Sequence, residues 1–166
     1  MEAIVVEYET PLLQYATRML RDATTAQDVV QEVFIKLFRT LHDGARPTDK
    51  MKAWLFRVTH NEVVDYIRRE SRLRNLHDKT GQETSFSTAD QDCGETEEER
   101  RELVMEHVQR LDDREKQVLL LRLEQGLSYT EISSVTGRTE GNVGNILHHA
   151  VRKLATSLKQ AGVVKP

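Results

Sequence analysis

The chain has 166 residues and a mass of 19.1 kDa, room for one ordinary domain or two small ones of roughly 70 residues each. With 38% apolar, 31% charged and 5% aromatic residues it suits a soluble, helix-rich protein, and no apolar run approaches the roughly 18 residues of a spanning helix. Net charge is −3 and Cys93 is the one cysteine, so an internal disulfide and a four-cysteine zinc site are excluded and the overall charge does not by itself favour nucleic acid.

In chain order, Thr10-Pro11 reads as an N-cap followed by proline at the first helical position, with Leu12, Leu13, Ala16, Met19 and Leu20 on one face. A second helix is expected to open near Thr25, with Asp28 as its capping-box partner. Its apolar set, Val30, Val33, Phe34, Leu37, Phe38 and Leu41, keeps helical spacing and leaves Asp28, Gln31, Glu32 and Lys36 on the far side. A loop from His42 to Pro47 ends it. A third helix is expected from about Asp49 to Arg72, with Trp54, Leu55, Val58, Val63, Tyr66 and Ile67 as core positions.

From about Asn75 to Glu97 the chain is polar and acidic without period, as a flexible linker is. The negative charge concentrates here. Residues 72–100 carry 4 basic and 8 acidic side chains, against 10 and 11 in residues 1–71 and 10 and 8 in residues 101–166. The expected organisation is all-α: a domain over 1–74, a linker over 75–97 and a domain over 98–166. In the second domain, Leu103, Val104, Val108 and Leu111 make one helix. Asp112 with Glu115 caps the next, whose core side is Val118, Leu119, Leu121 and Leu123. Ser128 with Glu131 caps a short helix ending at Gly137, and Thr139 caps the last, striped by Val143, Ile146, Leu147, Ala150, Val151 and Leu154.

Leu127–Leu154 fits a helix-turn-helix: Ile132 and Ser133 where two helices touch, Gly137 at the turn, then Val143 and Ile146 on the buried side of the second helix. That helix would present Glu140, Asn142, Asn145, His148, His149 and Arg152 to solvent, and in this motif its N-terminal half enters the major groove. Read alone, the stretch also fits a plain helical hairpin with a solvated face.

Three segments together, DVVQEVFIKLF (28–38), AWLFRVTHNEVVDYIRR (53–69) and GLSYTEISSVTGRTEGNVGNILHHAVRKL (126–154), resemble the extracytoplasmic-function (ECF) sigma factors of bacterial RNA polymerase in order and spacing, across nearly the whole chain. The resemblance implies a transcription initiation factor, not an enzyme, with no cofactor and no metal. Asp28, Gln31, Glu32 and Ile35 would dock on the polymerase clamp helices. Arg57, His60, Asn61, Arg68, Arg69 and Arg72 would hold the minus-ten element, with a base captured in the loop from about His42 to Lys52. Arg138, Asn142, Asn145, His148, His149, Arg152 and Lys153 would face the minus-thirty-five element. The implied partners are core RNA polymerase (clamp helices and flap), promoter DNA, and an anti-sigma factor or other regulator, without membrane insertion. The protein is expected in the cytoplasm.

Two departures from the family pattern stand out. Thr24-Thr25-Ala26-Gln27 replaces an acidic run before the clamp helix, and phosphorylation of Thr24 or Thr25 would restore negative charge there. Gly144, Ile146, His149 and Val151 fill positions that are usually basic, which lowers phosphate contact and admits an alternative: a sigma mimic that binds an anti-sigma factor without productive DNA recognition. His148 and His149 are adjacent on the helix and point about 100° apart, so they are not expected to share a metal.

Overall fold

The computed structural model describes residues 2–46, 48–77 and 96–162; among these every regular element is helical. The N-terminal lobe holds α1 (Glu2–Leu20), α2 (Ala23–His42) and α3 (Met51–His77). The C-terminal lobe holds α4 (Glu97–Val108), α5 (Asp113–Leu119), a π-helical turn (Leu120–Glu124), α6 (Tyr129–Thr136) and α7 (Glu140–Gln160). Cys93 and most of the expected linker lie outside the described residues.

Three boundaries differ from the sequence reading. α1 begins at Glu2 and runs through Pro11. Proline removes one backbone donor from a helix interior, and Ile4, Val5 and Tyr8, packed against the core, hold the turns that precede it. α2 is capped by Asp22, whose carboxylate accepts from the Thr24 amide at 3.2 Å; Thr25 lies inside the helix and Asp28 on its exposed face. α3 continues to His77, beyond the expected end at Arg72.

The N-terminal core is built from Leu12, Tyr15 and Ala16 of α1, Val30, Val33 and Leu37 of α2, and Leu55, Phe56 and Val63 of α3. Each such large apolar side chain stabilises the fold by about 1.5–3 kcal/mol on burial. Tyr15 meets Phe56 edge to face, ring centroids 6.2 Å apart. In the C-terminal lobe Val118, Leu119, Leu120 and Leu121 are all buried. With Glu115, Lys116 and Gln117 also buried, α5 from Glu115 onward is enclosed on every side rather than on one face, and the π-helical turn that begins at Leu120 changes the register after it. It also turns Leu123 outward, 63% exposed, where the sequence reading placed it in the core.

The lobes meet through polar groups. Arg21 donates from Nε to Gln109 Oε1 and from Nη2 to the Gln109 carbonyl, both at 2.9 Å. Gln109 Nε2 donates to the Arg18 carbonyl at 2.8 Å. Arg18 Nε lies 3.5 Å from Glu124, and Lys52 Nζ donates to the Gln125 carbonyl at 3.2 Å. α6 packs along α3.

Candidate functional site

On α2, Asp28, Gln31, Glu32 and Ile35 are all exposed and fall at i, i+3, i+4 and i+7, one strip of the helix. Val29, Val30, Val33, Phe34 and Leu37 fill the opposite face and are buried. The strip continues to Phe38, 37% exposed, beside Ile35 at 42%. Phe38, expected in the core, instead extends the outward apolar end, as its spacing of three from Ile35 allows. Lys36 is taken out of the exposed set by its ion pair with Glu62 of α3.

On α3, Arg57, Asn61, Arg68 and Arg72 are exposed and lie within about 60° of one another around the axis at 100° per residue. Arg69 is exposed as well but off that line. His60 is not on the surface. It is 6% exposed, and its Nδ1 shares a 2.8 Å hydrogen bond with the Tyr15 hydroxyl, so the expectation that it touches DNA does not fit its position. Trp54 and Tyr66 are half-buried, Trp54 against the core. A cavity of about 550 Å³ opens between the end of α2, the loop before α3 and the first turns of α3. Leu37, Leu41, Met51 and Trp54 give it an apolar wall, Arg46, Lys50 and Arg57 line it with cations, and Thr130, Glu131 and Ser134 of α6 also line it.

The helix-turn-helix forms as its local chemistry dictates. Ser128 Oγ accepts from the Glu131 amide at 3.1 Å, and the Glu131 carboxylate accepts from the Ser128 amide at 3.2 Å. Gly137 ends α6 at φ +73°, the left-handed conformation that glycine takes without a Cβ penalty. Thr139 Oγ1 accepts from the Asn142 amide at 3.1 Å and starts α7. Val143, Ile146, Leu147, Ala150, Leu154 and Leu158 bury one face of α7, while Asn142, Asn145, His148, His149, Arg152 and Lys153 are exposed.

Two cations of the expected set are not simply presented to solvent. Lys153 Nζ lies 2.7 Å from Glu115 Oε1, and that hydrogen bond raises the ammonium above its ordinary value. Arg138 is half-buried against the other lobe, its Nε buried and without an acceptor. His148 and His149 meet edge to face, centroids 5.9 Å apart. Among the described residues no group of three or more His, Cys, Asp or Glu could hold a metal ion, and no helix is long and apolar enough to cross a membrane.

A two-lobed helical protein with a helix-turn-helix in its second lobe and an acidic, solvent-facing strip in its first has the construction of a bacterial sigma factor. Residues 4–73 match the family Sigma-70 region 2 and residues 101–154 the family Sigma-70, region 4. The ECF RNA polymerase sigma factor SigL of Mycobacterium tuberculosis is 33% identical over 170 residues, covering 99% of this chain and 92% of that protein. RNA polymerase sigma factor YlaC of Bacillus subtilis is 25% identical, covering 96% and 92%. Among solved structures, CnrH, in complex with the cytosolic domain of CnrY, is 26% identical with a TM-score of 0.66, covering 96% of this chain and 87% of that one. The sigma factor RpoE of Bartonella quintana, in complex with the anti-sigma factor NepR, shares the fold at 19% identity, with a TM-score of 0.75 and coverage of 95% and 96%. The chain belongs to the ECF sigma factors of RNA polymerase.

Proposed function

We propose that this chain carries core RNA polymerase to its promoters with a division of labour between the lobes, acting in the cytoplasm and without catalysis of its own. The α2 strip docks on the clamp helices, Asp28 and Glu32 facing basic residues and Ile35 with Phe38 adding apolar contact. Charge pairing of this sort favours a fast, specific and reversible encounter. The Arg57–Asn61–Arg68–Arg72 stripe, with Arg69 beside it, follows the minus-ten strand. A base leaving the stack enters the cavity beside Trp54, which offsets an unstacking cost of a few kcal/mol. Asn142, Asn145, His148, His149 and Arg152 on α7 face the minus-thirty-five major groove, where Asn can pair with adenine edges. Few free cations on α7 mean little phosphate binding and a shallow salt dependence.

The observation that carries this reading is the acidic–apolar strip on α2, which is exposed among the described residues and has no use in a plain DNA-binding repressor. Charge reversal tests it. In a binding measurement with core polymerase, Glu32→Lys is expected to weaken affinity about tenfold or more with helicity unchanged; affinity equal to that of the native chain contradicts the docking surface. The sparse cations of α7 favour, as second reading, a mimic that engages an anti-sigma factor and does not start transcription, which predicts polymerase or anti-sigma binding without transcripts.

A further inference from the structure

We propose that the cleft between α3 and the C-terminal lobe binds a small phosphate-bearing anion of the pyrophosphate type, which bridges the lobes and holds them together. The cleft measures about 530 Å³, within the range of small-molecule sites. Arg68 lines it from α3, Arg114 from the first turn of α5 and Arg138 from the turn between α6 and α7. None of the three guanidinium groups has an ion pair or hydrogen-bond acceptor among the described residues, and Arg138 Nε is buried in that condition. An arginine group withdrawn from water ordinarily has an acceptor beside it; Arg138 Nε has none, and the exposed Arg68 and Arg114 line the same cleft.

The carboxylates nearby are partly committed elsewhere. Asp112 and Asp113 also line the cleft, but Asp112 accepts from the Glu115 amide at 2.8 Å as the cap of α5, and Asp113 lies 3.9 Å from Lys116. Three cations against two such carboxylates leave the cleft positive. Behind it, the charges of Arg138 and Arg68 add to burial in disfavouring a proton on His60, which marks the same uncompensated field. Guanidinium forks match phosphate oxygens bidentately, and three on separate elements suit a polyanion better than a lone carboxylate. Val64 and Ile67 form an apolar wall against which a nucleobase could lie, so the phosphates come either as free pyrophosphate or on a nucleoside diphosphate.

The regulatory consequence rests on the promoter-binding reading above: an anion clasped by Arg68 and Arg138 occupies Arg68 of the minus-ten stripe, ties α3 to the turn before α7, and opposes promoter binding. Calorimetric titration of the full chain at fixed ionic strength, with pyrophosphate and with ADP, tests the site directly. Saturable one-to-one binding is expected, weakened about tenfold or more by Arg68→Gln and likewise by Arg138→Gln, each preserving most of the side chain's bulk. Arg74→Gln, on α3 outside the cleft, should leave it unchanged. ADP binding tighter than pyrophosphate identifies the nucleotide as the source, and equal affinities identify free pyrophosphate. The proposal is overturned if neither probe binds, if sulfate binds as tightly as pyrophosphate, or if Arg74→Gln weakens binding as much as the cleft variants do. Pyrophosphate bound by a chain that gives no transcripts leaves this site standing and removes the promoter reading; transcription without anion binding does the reverse.

Discussion

His60 lies behind the Tyr15 hydroxyl, and burial, reinforced by Arg138 and Arg68, pushes its pKa down to about 4 from an ordinary 6.5. A histidine whose folded pKa is depressed leaves the unfolded chain binding more protons between those two values, so stability is full above pH 6.5 and is lost as pH falls toward 4. The loss is on the order of 3 kcal/mol. His107 is depressed as well, mainly by burial, so the test is a difference: denaturant unfolding from pH 7 to pH 4.5 should show a steep fall in the native chain and a shallower one in His60→Gln. Parallel curves would contradict it. In the sequence His60 sits beside Asn61 and three residues after Arg57, close to the polar stripe of α3. Its burial is decided by Tyr15, 45 residues earlier, a partner no local pattern announces.

At the scale of elements, what was legible depended on how local the signal was. Both caps of the helix-turn-helix, Ser128 with Glu131 and Thr139, and the stop at Gly137 stand where the sequence placed them, because each is fixed within four residues. Pro11 misled, since proline suits a first helical turn and its tolerance further in depends on packing by Ile4, Val5 and Tyr8. The π-helical turn was illegible because a run of leucines has no α-period to read, and Leu123 went to the wrong side with it. α7 yields a prediction of its own. Gly144 is in regular helix, and a Cβ there would meet only the Tyr129 ring at 3.6 Å, ordinary contact. Gly144→Ala should therefore stabilise the fold by about 1 kcal/mol, roughly 2–4 °C in melting temperature. A lower melting temperature would show that the helix needs that close approach.

For the whole molecule, the sequence revealed two lobes and their kinship but not how they meet, because Gln109, Arg18 and Arg21 carry no signature of an interface. Besides Arg138 Nε, that interface leaves Glu124 Oε1 buried without a donor, while burial raises the pKa of Glu124 against the pull of Arg18. Unpaired buried groups cost about 1–3 kcal/mol each, which works against the closed arrangement while the packing of α6 along α3 favours it. α6 lines the cavity beside Trp54, so on the promoter reading proposed above a base entering it would lie against the C-terminal lobe. Gln109→Ala combined with Arg18→Ala removes the Gln109 side-chain contacts with Arg18 and Arg21 and that of Arg18 with Glu124 and should increase the radius of gyration in small-angle scattering while leaving helicity intact. An unchanged radius would mean that these contacts do not hold the lobes.

Run-off transcription with purified core RNA polymerase on fragmented genomic DNA puts promoter-directed initiation to the test. Adding the chain to core polymerase is expected to produce transcripts with defined start sites that neither component gives alone. No transcripts from a polymerase shown to be active with another sigma factor would contradict it.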